Sequence, residues 1–295
     1  MNGFQKILVI PLYRTCFLVI YIILGHEIKV PLFHSKDFFN EERKIMDRIR
    51  MEDMNWPDIK EAIAKGFTTA VAGIGSTEQH GPYLPLKTDS MIGEAIANKV
   101  AAKLGNALQA PTINIGCSEH HLAFPGTISY RSSTLTSIIE DYIQSLSKHG
   151  FKTVVLLPSH GGNFETVLKA IDDLSKKHPE LKIVGYTDLK GFMNFLMEIS
   201  EEYGVTKEEA GAHAGENETS FMLALAGDLV IKERYAPGYL GPLGDEEIKI
   251  ILERGMPTLS KTGVLGDPAK ATSEKGKVYL EKIVDFIVKE VKKKM

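Results

Sequence analysis

Cysteine is nearly absent. The 295 residues include only Cys16 and Cys117, too few for a disulfide framework and wrongly spaced for a zinc finger, so a cytoplasmic location is expected. An excess of one charge is also missing. Thirty-five Lys and Arg stand against 38 Asp and Glu, a net charge of −3 with no basic stripe, which removes the attraction to phosphate backbones that nucleic-acid binding requires. No GxxxxGK[ST] loop occurs, GIGSTE puts Glu78 where a dinucleotide fingerprint needs its third glycine, and PSHGG around Ser159 is not a GxSxG elbow. There is no long clean hydrophobic run either. Residues 7–24 are apolar, but Pro11 and Arg14 interrupt them and leave 16–24, too short to span a bilayer. No membrane partner is expected. As a secretory signal the run lacks a small-x-small cleavage site at Gly25-His26-Glu27. Residues 1–50 are expected to be an apolar extension outside the catalytic domain, with a packing or interface strand as the alternative. Patterned sequence begins near Asn55, and Met46, Met51 and Met54 are each plausible starts.

With 43% apolar and 25% charged residues, the composition is that of a globular protein with a proper core, and the length suits one large domain over 51–295. From Glu61 short β-rich runs alternate with helical ones, the pattern of βαβ units around a mainly parallel sheet. Strands are expected over 68–74, 108–113, 153–157 and 182–186, with TVVLL as a buried central strand. Helices are expected over 90–104, 133–149, 164–177, 189–203, 218–225 and 275–294. Residues 235–270 are rich in Gly and Pro and read as a long loop or lid.

In open α/β sheets ligands bind where strands end and helices begin. Three clusters sit at such places: GSTEQHG after the first of these strands, SHGGN after TVVLL, and HAGENETS before a late helix. Glu78 and His80 lie two positions apart and point the same way if the backbone is extended, each able to hold one of two metals. Asp89 is either an N-cap of the next helix or a carboxylate bridging both ions, and Pro82 and Pro85 stiffen the connection to it. His160, followed by two glycines, is able to turn into the same crevice. Glu216 offers the third carboxylate. Two divalent ions bring +4, three carboxylates −3 and a hydroxide −1, so a buried site is neutral. Imidazole with carboxylate suits Zn, Mn or Fe(II) rather than Ca or Mg. Such a pair activates water and polarises a carbonyl, the chemistry of amide hydrolysis. His213 is the expected proton shuttle to the leaving nitrogen, with Glu218 as the second catalytic candidate. His120 and His121 read evenly as pocket-lining or surface residues, and Cys117 as a buried apolar one.

The blocks GSTEQHGPYLPLKTD, FPGTISY, SHGGN and HAGENETS resemble the signature blocks of the creatininase, or creatinine amidohydrolase, family in order and spacing from about Asn55 onward. The resemblance implies a three-layer α/β/α sandwich, a binuclear metal site and a homo-oligomer, typically a hexamer. By position it places Glu78, Asp89 and His160 on one ion, with His80 and the bridging Asp89 on the other. The sequence departs from creatininase proper in two ways. A carboxylate ligand of that enzyme falls where Gly162 stands here, so Glu216 is the expected fifth ligand. Creatininase also closes tryptophans over its substrate, whereas Trp56 is the single Trp of this chain and lies outside all four blocks. The expected substrate is therefore a small-molecule amide other than creatinine, with a non-peptide or cyclic amide C–N bond, although Tyr83, Tyr130 or Phe192 offer substitute aromatic covers. Creatinine itself, a formamide of flavin or deazaflavin biosynthesis, and a redox-cofactor precursor peptide are the alternatives. A relative that has lost its metals and serves a structural role is the non-enzyme reading.

Overall fold

In a computed structural model of the chain, residues 48–295 are described in full, together with two earlier strands, Ile7–Leu12 (β1) and Cys16–Tyr21 (β2). These two pair antiparallel, with Leu12 opposite Cys16. The candidate start at Met46 and the segment at 25–27 lie outside the described residues. Among the described residues, no helix is long and apolar enough to cross a membrane. The chain divides into two units, 1–48 and 49–295.

The second unit is built on four parallel strands: Thr69–Ile74 (β3), Ala107–Gln109 (β4), Thr153–Pro158 (β5) and Lys182–Gly185 (β6), in the spatial order β4-β3-β5-β6. Strand β4 is shorter than the expected 108–113. Pro111 has no N–H to donate, and beyond it Ile113 makes only an isolated bridge to Ile74. The helices are Trp56–Ala64 (α1), Thr88–Leu104 (α2), Ser132–His149 (α3), Phe164–Lys177 (α4), Leu189–Glu201 (α5), Lys207–Ala210 (α6), Glu216–Ala226 (α7), Asp245–Arg254 (α8) and Ser273–Lys292 (α9).

Strand side chains alternate between faces, and the two cores follow that alternation. Val71, Val155, Leu157 and Val184 pack with Ile96 and Val100 of α2, Leu196 of α5, Phe221 of α7 and Ile283 of α9. Ala70, Ala72, Ile74, Val154, Leu156 and Ile183 face the other way, onto Ala62 of α1, Leu135 and Ile139 of α3, and Val167 and Leu174 of α4. Both faces are therefore covered, which makes three layers and explains why the strands read as continuous apolar runs rather than alternating ones. The stretch 235–270 is not all loop. Its α8 starts where Glu247 accepts the Gly244 N–H, and ends at Gly255 with φ +87°.

Ile49 and Arg50 belong to this unit. The Ile49 carbonyl accepts the Gln109 N–H at 2.7 Å and Arg50 pairs with Glu94 at 2.6 Å. A chain starting at Arg48 is expected to fold and melt like the full-length protein, while one starting at Met51 melts lower because it loses this bond and pair. Thermal denaturation of both truncations checks this. Failure of the longer truncation to fold would instead make residues 1–47 part of the core or an interface.

Candidate active site

Because the strands are parallel, the chain leaves β3 and β5 at the same edge of the sheet. Glu78 and His80 follow β3, and His160 follows β5. Gly75 lets α2 close over that edge: a Cβ there would stand 2.5 Å from the Ser90 Cα, so any larger residue would push the first turn of the helix away. Asp89 is the second residue of α2. It is not the N-cap, which is Lys87, and its carboxylate turns inward instead. There Oδ1 lies 3.3 Å from His80 Nε2 and Oδ2 lies 3.4 Å from His160 Nδ1.

The hydrogen bonds decide which ring nitrogen faces the cluster. His80 Nδ1 donates to the Glu78 carbonyl at 3.1 Å, leaving Nε2 toward Asp89 and, at 3.9 Å, Glu218 Oε2. His160 Nε2 donates to the Cys117 carbonyl at 3.1 Å, leaving Nδ1 3.2 Å from Glu78 Oε1. Such backbone anchors are what orient metal-ligating histidines. His213 Nε2 donates to the Gln79 carbonyl at 2.7 Å, so its Nδ1 looks inward, 3.7 Å from Glu78 Oε1. The Gln79 side chain donates to His121 Nδ1 at 2.8 Å and to the Gly263 carbonyl at 3.1 Å, and accepts the Gly81 N–H at 2.8 Å. His121 is thereby set with Nε2 3.4 Å from Glu78 Oε1.

Glu218, in the first turn of α7, is oriented by the Ala214 N–H at 2.5 Å. Ala214 has φ +53°, a left-handed conformation unusual for a residue with a side chain, and its carbonyl accepts from Tyr83 Oη and Thr219 Oγ1. Glu216 does not join the cluster. Its carboxylate accepts from Ser220 Oγ at 2.8 Å and Tyr279 Oη at 3.3 Å, and pairs with Lys275 at 3.3 Å. Glu216, expected as the fifth ligand, is thus turned away from the cluster, and the carboxylate that approaches it from α7 is that of Glu218. With about 100° per residue on a helix, positions two apart point to nearly opposite sides.

The electrostatics are those of a site suited to cations. Burial raises the Glu78 carboxyl, but His160 and His121 outweigh it and hold it well below the carboxylate range. Burial lowers His80, yet Asp89 and Glu218 push it up to about 10, and Glu78 and Asp89 likewise raise His160 to about 9. Burial brings Glu218 up to about 7 and also raises Asp89. His213 and His121 go the other way, lowered chiefly by burial, His121 to about 3. Both oxygens of Glu78, Asp89 Oδ2 and His80 Nε2 are buried without a well-formed hydrogen bond, despite imidazoles nearby. Buried polar atoms are seldom left so, and three groups here have the donor atoms and spacing to hold a metal ion: Glu78/Asp89/His160, His80/Asp89/Glu218 and Glu78/His80/His213.

The cluster opens into a cavity of about 140 Å³, lined in part by Asp89, His120, His121, His160, His213 and Glu218. Of the three aromatic covers considered from sequence, only Phe192 lines it. Tyr83 is buried beneath α7's entry and Tyr130 faces a neighbouring cleft.

The sequence profile of the creatininase family, described as creatinine amidohydrolase, matches residues 52–291. The chain belongs to the creatininase family. The mycofactocin precursor peptide peptidase of Mycolicibacterium smegmatis is 32% identical over 225 residues, covering 75% of this chain and 83% of the peptidase. The creatinine amidohydrolase of Pseudomonas putida is 27% identical over 248 residues, covering 80% of this chain and 93% of that enzyme. Among solved structures, a mutant creatininase of Zn–Zn type matches with a TM-score of 0.70 and 26% identity over 83% of this chain and 98% of that one.

Two creatininase features are absent from this cavity. Trp56, the only tryptophan, lies on α1, is 75% exposed and does not line it. A side chain at Gly162 would place its Cβ 2.2 Å from the Cys117 carbonyl oxygen and 2.7 Å from His160 Nε2, so no carboxylate fits there without moving the backbone.

Proposed function

We propose that this chain hydrolyses an amide C–N bond with two divalent ions, Zn, Mn or Fe(II), and that its substrate is not creatinine. The observation that carries the reading is the sharing of Asp89 by two ligand groups at the sheet edge, with buried oxygens and nitrogens left unsatisfied. Glu78, Asp89 and His160 would hold one ion, and His80, Asp89 and Glu218 the other. Their three carboxylates bring −3 against +4, which leaves the buried centre within one charge of neutrality. The donor set favours transition metals and zinc over calcium and magnesium.

When bound, the ions supply Lewis-acid polarisation of the substrate carbonyl and a lowered pKa for attacking water. The residues supply the rest. His213 is neutral, because burial and the neighbouring His80 and His121 hold it well below its ordinary value, and its inward Nδ1 is placed to take a proton and return it to the departing nitrogen. The Gln79 carbonyl holds the ring in that tautomer. Glu78 stays a carboxylate throughout. The relatives named above include a peptidase and a creatinine amidohydrolase, and a further one is a formylamino-pyrimidine deformylase; hydrolysis of a C–N bond is common to all three. Creatinine is disfavoured because no tryptophan walls enclose the cavity.

Elemental analysis of the purified protein is expected to find two ions per chain, and a panel of creatinine, formamides and short peptides to show amide hydrolysis with creatinine a poor substrate. His213→Asn is expected to lower kcat by about 10²- to 10⁴-fold with the ion content unchanged. Loss of an ion in that variant would make His213 a ligand instead.

A further inference from the structure

Four imidazoles turn toward the buried carboxylates, and three of them follow one rule. His80, His160 and His213 each give the proton of the outer ring nitrogen to a backbone carbonyl, that of Glu78, Cys117 and Gln79 respectively. A carbonyl only accepts, so the inner nitrogen of each neutral ring carries a lone pair, as a metal ligand or a base requires. His121 is the exception. Its outer nitrogen, Nδ1, faces the side-chain amide of Gln79 at 2.8 Å.

Two backbone groups fix which way that amide points. The Gly81 N–H only donates, and it meets Oε1 at 2.8 Å; the Gly263 carbonyl only accepts, and it meets Nε2 at 3.1 Å. The amide nitrogen therefore gives its second proton to His121, and Nδ1 is the acceptor. His213 Nε2 also lies 3.0 Å from this nitrogen, but its own proton goes to the Gln79 carbonyl at 2.7 Å. Glycine at 263 is what lets its loop approach, since a Cβ there would stand 2.1 Å from Gln79 Oε1.

His121 accordingly holds its proton on Nε2, which lies 3.4 Å from Glu78 Oε1. Both oxygens of Glu78 are buried without a well-formed hydrogen bond. His160 and His213 also face Oε1, at 3.2 and 3.7 Å. A histidine that ligates a metal is neutral, so in the loaded site those two rings turn lone pairs inward. Among the described residues that leaves His121 as the ring that offers Glu78 a proton.

Building on the two-ion reading, we propose that His121 is not a ligand but the hydrogen-bond donor that positions Glu78, in a tautomer imposed by Gln79. Outer partners of this kind orient a ligating group and contribute about 10- to 100-fold in metal affinity. With its proton on Nε2 the ring has no lone pair to give an ion there, so the bond from Gln79 that makes His121 a donor also keeps it from capturing a metal. Gln79 is a positioning residue one step further out, and it ties Glu78 to the segment around Gly263.

The test uses the zinc-loaded full chain labelled with nitrogen-15 and a long-range proton–nitrogen correlation spectrum of its histidines. His121, identified by the proximity of its ring to the Gln79 amide protons, is expected to show a protonated Nε2 and an unprotonated Nδ1. Zinc affinity, measured by competition with a chelator, is expected to fall about 10- to 100-fold in His121→Phe, which keeps a ring but has no donor. His121→Gln, whose amide brings an N–H to the same place, is expected to restore most of that loss. Gln79→Leu is expected to weaken zinc in the same direction and to lose the single-tautomer signal in the spectrum. A merely structural role for His121 would lower the melting temperature of its variants without separating Phe from Gln in zinc affinity, and that result would overturn the proposal. So would a proton on Nδ1 or a zinc-bound Nε2 in the wild-type spectrum, which is read whether or not a variant folds. With two ions still bound, those outcomes leave the two-ion reading standing; a protein that binds no divalent ion overturns both.

Discussion

Replacing Asp89 with alanine is expected to lower kcat/KM by on the order of a thousandfold or more and to reduce bound metal from two ions per chain to one or none. The magnitude follows from its position. Asp89 is shared by the Glu78/Asp89/His160 and His80/Asp89/Glu218 groups, with one oxygen 3.3 Å from His80 Nε2 and the other 3.4 Å from His160 Nδ1. Its removal weakens both sites, and a metal's contribution to transition-state charge is several kcal/mol, where about 4 kcal/mol is nearly a thousandfold in rate. The fold pays part of the loss too. Asp89 is 2% exposed, and in the metal-free chain, where it faces the raised imidazoles of His80 and His160, breaking a buried charge pair costs about 3–5 kcal/mol. Asp89→Asn keeps the shape of the first helical turn, so comparing the two variants separates loss of charge from loss of packing. Steady-state kinetics, elemental analysis and a thermal melt are the measurements. Two tightly held ions and full activity in the alanine variant would remove Asp89 from the centre.

The second large effect distinguishes two glutamates of one motif. Glu218→Gln is expected to lower kcat/KM by at least about 100-fold and to lose one ion, because Glu218 Oε2 approaches His80 Nε2 at 3.9 Å and is aimed by the Ala214 N–H. Glu216→Gln is expected to keep both ions and most of the activity. Its cost falls on stability, about 1–3 kcal/mol for a weakened buried hydrogen-bond group, since its partners are Ser220, Tyr279 and Lys275 in the packing of α7 against α9. Metal content measured on both variants decides the matter. The reverse result, with ion loss in Glu216→Gln only, would restore the assignment drawn from the linear sequence.

The sequence alone identified the four strands of the parallel sheet and six of the helices in their order along the chain, and the edge at which the polar clusters gather. It could do so because those features are local: a continuous apolar run such as TVVLL marks a strand covered on both faces, and a glycine-rich polar segment after it marks the turn where ligands are met. Glu78, His80, Asp89 and His160 were legible for the same reason, each lying directly after a strand or at the start of a helix. The choice between Glu216 and Glu218 was not. Moving the start of a helix by two residues exchanges the side that faces the core for the side that faces the cavity, and the start of α7 depends on the left-handed turn at Ala214, held by Tyr83 from a distant block. Gln79 shows the same limit. It lies inside the first block, yet its hydrogen bonds to His121 and Gly263 join segments far apart in the chain. The helix α8 gave only a weak local signal amid glycines and prolines, and its apolar residues acquire meaning only where they meet α5 around the cavity. Periodicity and spacing determine which face of an element is apolar and where chemistry-bearing residues lie along the chain; only long-range packing decides which of them share one cavity and which nitrogen or oxygen each turns toward it.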